Sequence, residues 1–121
     1  MKIKKIDESN IIFDDESYLT WDYKQDCCEY NYADFEQIEK SALNYDFDKD
    51  TFRLIPNDYG FRFGDKNRTF FIPCYSQQNG FYSSEVDIFY YDKDENKILD
   101  LKKIDCYLYD FESEKRYFNK D

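Results

Sequence analysis

The sequence predicts a single α+β domain over residues 1–121, built from a twisted, mostly antiparallel β-sheet with one α-helix packed on a face. Two observations predict it. Short segments with apolar residues at alternate positions, such as Glu85–Tyr91, recur along the chain and are separated by turn-forming residues. Only over residues 33–44 does the apolar spacing change to the period of a helix.

The predicted strands cover most of the chain. They are Lys2–Ile6, Asn10–Phe13, Tyr18–Lys24, Thr51–Ile55, Phe61–Phe63, Thr69–Tyr75, Glu85–Tyr91, Lys97–Leu101 and Ile104–Phe111. Turn sequences stand between them, such as Pro56–Gly60 and the pair Asn79 and Gly80, whose glycine can supply the positive φ of a tight reversal.

The predicted helix is defined by an apolar stripe and by its first residues. Phe35, Ile38 and Ala42 recur at spacings of three and four residues, which places them on one helical face. Asp34 followed three residues later by Gln37 is typical of a capping box, in which each side chain satisfies an exposed amide of the first turn. We therefore expect a helix near residues 33–44.

Charge is unevenly distributed along the chain. The sequence has 27 acidic and 17 basic residues, and residues 6–50 alone carry a net charge of −11 against −2 for residues 51–121. This balance argues against direct binding of nucleic acid, which requires basic residues on one face, and favours a basic partner. The alternative is that the acidity only keeps an aromatic-rich protein soluble and monomeric.

The acidic segment predicts a row of carboxylates that imitates a nucleic-acid backbone. Asp14 and Glu16 would lie about 6.6–6.8 Å apart on one face of a strand, close to twice the spacing of phosphates along DNA. Such a row could occupy the basic channel of a guide-RNA effector. The candidate partner-binding residues are Asp14, Asp15, Glu16, Asp22, Asp46, Asp48 and Asp50.

Most catalytic and metal chemistry is poorly supported. The chain has no His, so the usual general bases and triads are missing, and its four cysteines lack a zinc-ligand spacing. Asp46-x-Asp48-x-Asp50 begins like a calcium loop but has Thr51 where glycine is required. We expect no metal, no cofactor and no catalytic residue. No apolar stretch predicts a membrane span or a signal peptide, so we expect a protein of the host-cell cytoplasm with reduced thiols.

A second candidate surface combines two stretches that hold three of the cysteines. The residues that would form this recognition patch are Cys27, Cys28, Glu29, Tyr75, Gln78, Asn79 and Tyr82. The alternative is a helix cap beside a hairpin turn, with Cys27 and Cys74 packed in the core.

These two stretches, D-C-C-E-x-x-Y-x-D and P-C-Y-x-x-Q-N-G-x-Y-S, resemble small uncharacterised proteins of bacteria and their phages or mobile elements. The resemblance implies no activity and no functional residues. It implies a genetic context in which small acidic proteins often inhibit host defence systems.

The hypothesis that follows is a non-enzymatic, anti-CRISPR-like inhibitor that blocks a basic nucleic-acid-handling partner, either a CRISPR effector or another nuclease. One alternative is an immunity protein against a toxin nuclease. Another is an enzyme or small-ligand binder that uses the patch between Cys27 and Cys74. A third is an assembly protein whose strands, apolar on both faces, are buried in an oligomer.

Overall fold

The structure, a computed structural model, describes residues 1–25, 27–80 and 82–109. These residues form ten β-strands: β1 (Ile3–Ile6), β2 (Asn10–Phe13), β3 (Tyr18–Asp22), β4 (Tyr30–Ala33), β5 (Arg53–Asn57), β6 (Gly60–Gly64), β7 (Thr69–Gln77), β8 (Glu85–Tyr91), β9 (Lys97–Asp105) and β10 (Tyr107–Tyr109). Three short 3₁₀ segments lie between β4 and β5, at Phe35–Gln37, Lys40–Asn44 and Lys49–Thr51.

The strands form two sheets. The first has the order β1-β2-β3-β8-β9 and is antiparallel throughout. In the second, the long strand β7 pairs antiparallel with β6 and with β4, and β5 extends the sheet beyond β6. The short strand β10 pairs parallel with the end of β7, with Tyr107 opposite Tyr75.

One hydrophobic core fills the space between the sheets. Along β7 and β8 every second residue is buried, as the two-residue period of a strand requires when one face packs inward. Phenylalanines supply the largest share of the core volume and meet edge to face. The ring centroid of Phe13 lies 5.7 Å from that of Phe47, in the segment before β5, and 6.4 Å from that of Phe63, in the opposite sheet. Seven of the twelve phenylalanines are buried in this core, whereas Tyr90 is the one buried tyrosine among the described residues.

The predicted α-helix over residues 33–44 is wrong, and with it the α+β class, because the described residues contain 3₁₀ turns but no longer helix. Ile38 and Glu39 are extended and interrupt the segment. The apolar stripe still packs inward, since Phe35 and Ala42 are fully buried. No helix among the described residues is long and apolar enough to cross a membrane.

The predicted capping box does not form either. The Asp34 carboxylate accepts a hydrogen bond from the side-chain amide of Gln37 at 2.8 Å, and it caps no backbone amide. A pattern of polar and apolar residues that suits a helical turn is here satisfied by two separate 3₁₀ turns.

The predicted strand Ile104–Phe111 is divided, and its residues 110 and 111 lie outside the described part. Cys106 separates β9 from β10. The Cys106 amide donates to the carbonyl of Ser84 at 2.8 Å. Before Cys106 the chain pairs with β8 in the first sheet, and after it β10 pairs with β7 in the second sheet. This crossing explains why one alternating segment serves two sheets.

Candidate functional site

The antiparallel register brings distant acidic loops to one end of the molecule. Tyr18 pairs with Tyr91, so the turn that precedes β3 and the turn that follows β8 lie side by side. The Lys49 ammonium contacts the Asp15 carboxylate at 2.6 Å, and this ion pair joins the loop before β5 to the two turns. We call the loops 14–17, 45–51, 65–68 and 92–96 the acidic end.

The acidic end carries more than half of the net charge of the chain. Its four loops contain ten acidic and four basic residues, a net charge of −6 out of −10 for the whole chain. Charges concentrated on a set of loops at one end produce a directional field that can steer a basic partner. The fold therefore converts an acidic composition into an acidic surface.

A hydrogen-bonded network anchors this surface to the core. The buried Tyr90 hydroxyl donates to Ser17 Oγ at 2.8 Å, and Ser17 Oγ donates in turn to Asp15. Partial burial by itself would raise the pKa of Asp15, but the bonds from Lys49 and Ser17 outweigh it and leave that pKa lowered. Asp15 thus stays ionised and positions its turn.

Two turns of the acidic end hold a glutamate in the left-handed region. Glu16 has φ 69° and Glu95 has φ 65°. That region favours glycine, and a residue with a Cβ is strained there by roughly 1 kcal/mol. Tyr59 with φ 57° and Lys103 with φ 58° share this conformation at the opposite end, so it occurs at both ends of the molecule.

Asp65 ties the remaining loop to the acidic end. Its buried carboxylate accepts from the Tyr45 hydroxyl at 2.9 and 3.0 Å, and from the amides of Asp48 at 2.8 Å, Asn67 at 2.8 Å and Arg68 at 3.0 Å. Burial would raise the pKa of Asp65, but these bonds lower it to about 2. Asp65 is a structural anion inside an otherwise exposed acidic surface.

The structure gathers six of the seven predicted partner-binding residues and separates the seventh. Asp22 ends β3 and lies opposite Asp87, at the far end of the first sheet. The six that gather at the acidic end are Asp14, Asp15, Glu16, Asp46, Asp48 and Asp50.

Their arrangement differs from a row on a strand face. Residues 14–16 form a turn rather than a strand, so the expected spacing of alternate residues does not apply. Glu16 pairs with Lys4 at 2.7 Å, and Asp46 pairs with the Met1 ammonium at 2.8 Å. Asp48 accepts from the Asp50 amide and the Thr51 hydroxyl, while the Asp50 carboxylate is exposed.

Sequence reasoning missed the second acidic turn. Asp92, Asp94 and Glu95, in the turn between β8 and β9, are absent from the predicted partner-binding residues and belong to the same surface. The signal that could have found them is the pairing of β3 with β8, which joins residues about 70 positions apart and leaves no local trace.

The two stretches of the predicted recognition patch do meet, but mainly inside the protein. Asn31 of β4 donates to the carbonyls of Ser83 at 2.9 Å and Glu85 at 3.1 Å, and it accepts from Ser76. Gln78 is buried, donates to Ser76 at 2.7 Å, and accepts from the amide of Tyr82 at 2.7 Å. This network stabilises the pairing of β4 with β7.

The remaining residues of the patch diverge. Glu29 is buried, Tyr75 and Tyr82 are half-buried and Asn79 is exposed. Cys27 and Cys28 are exposed and joined by a disulfide, contrary to the expectation of reduced thiols there. Of Cys27 and Cys74, which the alternative packs in the core, only Cys74 is buried, as a free thiol beside Cys106.

The cysteines do not form a reactive or metal-binding group. A hydrogen bond with Cys106, and then burial, raise the pKa of the Cys74 thiol far above its ordinary value, so this thiol stays protonated. Across residues 1–25, 27–80 and 82–109, no group of three or more Cys, Asp or Glu side chains is placed to hold a metal ion.

Comparisons of the chain with protein-family models, with curated proteins and with solved structures gave no match in any of the three. The class that the fold itself defines is a two-sheet, all-β protein with an acidic end.

Proposed function

We propose that the protein is a non-enzymatic binding protein whose acidic end occupies the nucleic-acid channel of a basic partner. The partner to test first is a guide-RNA effector nuclease of the CRISPR type, since such a protein holds nucleic acid in a positively charged channel. The single observation that carries the proposal is the convergence of four loops with a net charge of −6 at one end.

Exposed carboxylates at the acidic end support its role in binding. Glu95 has φ 65° and is exposed, where glycine would relieve the strain. The side chains of Asp50 and Asp94 are also exposed, and neither forms an ion pair with any described residue. These three carboxylates are available to a partner at little conformational cost.

The test is affinity capture from a bacterial lysate, followed by displacement. The wild type is expected to retain a nucleic-acid-binding protein at low salt and to release it when single-stranded DNA or RNA is added. A variant with Asp50→Asn, Asp94→Asn and Glu95→Gln should bind that partner about tenfold more weakly, because each exposed ion pair contributes about 0.2–1 kcal/mol.

The matched control removes three carboxylates at the opposite end through Asp22→Asn, Asp58→Asn and Asp105→Asn. It changes the net charge equally and should leave capture almost unchanged. Equal loss in both variants would mean that only net charge matters. Undiminished capture by the acidic-end variant, or a partner that nucleic acid does not displace, would overturn the proposal.

A further inference from the structure

An aromatic groove opens at the end of the molecule opposite the acidic end. It lies where the turn between β1 and β2 meets the last residues of β3 and, across the gap between the sheets, β4. The Trp21 indole N–H donates to the carbonyl of Glu8 at 3.0 Å and fixes the ring against that turn. The cavity has a volume of about 230 Å³, enough for one side chain rather than a cofactor.

Three rings form its walls and meet at angles rather than in one stack. Tyr30 and Tyr32 lie nearly perpendicular at an interplanar angle of 82°, with ring centroids 5.0 Å apart. Trp21 is inclined to Tyr30 by 37° at 6.4 Å. Ring faces that line one space suit a cation, since the face of each ring carries negative charge.

Carboxylates form the rim of the groove. Glu8, Asp34 and Glu36 line it, and no basic residue of the described part of the chain does. Asp34 is held by the Gln37 amide at 2.8 Å, and Gln37 in turn accepts from the Tyr75 hydroxyl at 3.2 Å. The rim is therefore both acidic and, at Asp34, positioned.

The described part of the chain places no cation of its own over the rings of the groove. Among the described residues, Arg68 lies over Phe70, and two lysines of β9 lie over Phe89. No described cation lies over Trp21 or Tyr30, although tryptophan is the best ring for such a contact. The groove thus has the acidic rim and the aromatic walls of a cation site, and its carboxylates would repel an anionic ligand.

We propose that this groove binds an arginine side chain of the basic partner, an inference that rests on the proposed function. Arginine fits better than lysine because its planar guanidinium stacks on a ring while its fork of N–H groups reaches carboxylates in the same plane. The guanidinium stacks on a ring face at the mouth of the groove and donates to the rim carboxylates. Lysine would offer a point charge without the stacking face.

The test uses Trp21 as a reporter, since it is the only tryptophan in the chain. The indole N–H resonance is followed by NMR during titration with Nα-acetyl-arginine amide at constant ionic strength. Nα-acetyl-citrulline amide, of similar shape but uncharged, is the matched ligand control, with Nα-acetyl-lysine amide and tetramethylammonium in parallel. We expect saturable binding of the arginine derivative in the millimolar range and no saturation with citrulline.

Two tyrosine variants distinguish binding in the groove from binding to any exposed tyrosine. Tyr30 is 46% exposed and Tyr59 is 55% exposed, so both tolerate replacement by leucine without opening the core. Tyr30→Leu should weaken binding of the arginine derivative about threefold to fivefold, and Tyr59→Leu should not. Equal shifts with arginine and citrulline, tighter binding of lysine or tetramethylammonium, or an unaffected Tyr30→Leu variant would overturn the proposal.

The source of the arginine is tested in the capture experiment. The acidic-end variant should bind the arginine derivative like the wild type, while Tyr30→Leu should retain the partner less well. A Tyr30→Leu variant that retains the partner fully would overturn the groove's role and leave the proposed function intact. Failure of the wild type to retain any nucleic-acid-binding protein would instead overturn the proposed function and the source of the arginine, whatever the titration shows.

Discussion

Replacing Asp65 with asparagine should destabilise the protein strongly without changing its shape. The carboxylate is 3% exposed and accepts from one hydroxyl and three amides. Asparagine keeps one acceptor oxygen but places an NH₂ group against one of those donors. The Asp48 amide, which bonds the second oxygen at 2.8 Å, would then face another donor.

The magnitude follows from the pKa and from the lost hydrogen bond. A pKa lowered from 3.8 to about 2 corresponds to at most about 2.4 kcal/mol of stability at neutral pH, which solvent near the exposed Lys66 and Asn67 reduces. One unsatisfied buried donor costs about 1–3 kcal/mol, partly the same energy. We expect a loss of about 3 kcal/mol, or roughly 10 °C in the unfolding midpoint.

The loss should depend on pH in a defined direction. Because the pKa of Asp65 is lower in the folded state, its stabilisation is fully present above the unfolded value near 3.8 and disappears as the pH falls through about 2. The stability gap between wild type and Asp65→Asn should therefore be constant from pH 5 upward, a range about one unit above that value, and narrow below it.

Urea unfolding followed by tryptophan fluorescence measures this gap at each pH, with Asp50→Asn as control. Asp50 lies in the same end, carries the same charge and is exposed, so its substitution should change stability by less than about 0.5 kcal/mol. An Asp65→Asn midpoint close to that of the control at pH 7, or a gap that does not narrow in acid, would refute the assigned role of the carboxylate.

Three further outcomes are expected. Iodoacetamide after mild reduction should label the two exposed cysteines by mass spectrometry, while Cys74 and Cys106 react only once the chain unfolds. Gly60→Ala should lower stability by about 2–4 kcal/mol in thermal unfolding, because a Cβ there meets the backbone of β7. Asn31→Ala should cost about 2–4 kcal/mol because it removes three hydrogen bonds of a buried side chain and leaves the Ser76 hydroxyl without its acceptor, whereas Asn79→Ala, at an exposed position, should cost little.

Local alternation predicted most of the strands but not β4, and helical spacing predicted a helix that does not form. β8 spans the predicted Glu85–Tyr91, because a strand that buries one face has apolar residues at every second position of its sequence. The helix failed because the burial of Phe35 and Ala42 requires only that both residues face inward, and two 3₁₀ turns with extended Ile38 between them satisfy that. Periodicity reports burial, and burial alone does not fix the backbone.

Both proposed surfaces depend on contacts between distant parts of the chain. The acidic end forms because β3 pairs with β8, and the groove forms because Trp21 of one sheet lies beside Tyr30 of the other. The residue types were visible in the sequence, but their neighbours were set by sheet pairing and by packing of the two sheets. This is why Asp22, close in sequence to Asp14 and Glu16, lies far from the acidic end, whereas Glu95 belongs to it.

The length of β3 determines how the two surfaces can act together. The acidic end begins just before Tyr18 and the groove lies at Trp21, so about 10–20 Å of rigid strand separates them. The field of exposed charges extends about 10 Å at 0.1 M salt, whereas a guanidinium must enter the groove to be held. The acidic end is therefore suited to raise the rate of association with a basic partner, and the groove to slow its dissociation. Salt should act mainly on the first step, and loss of the Tyr30 ring mainly on the second, because only the groove acts at contact distance.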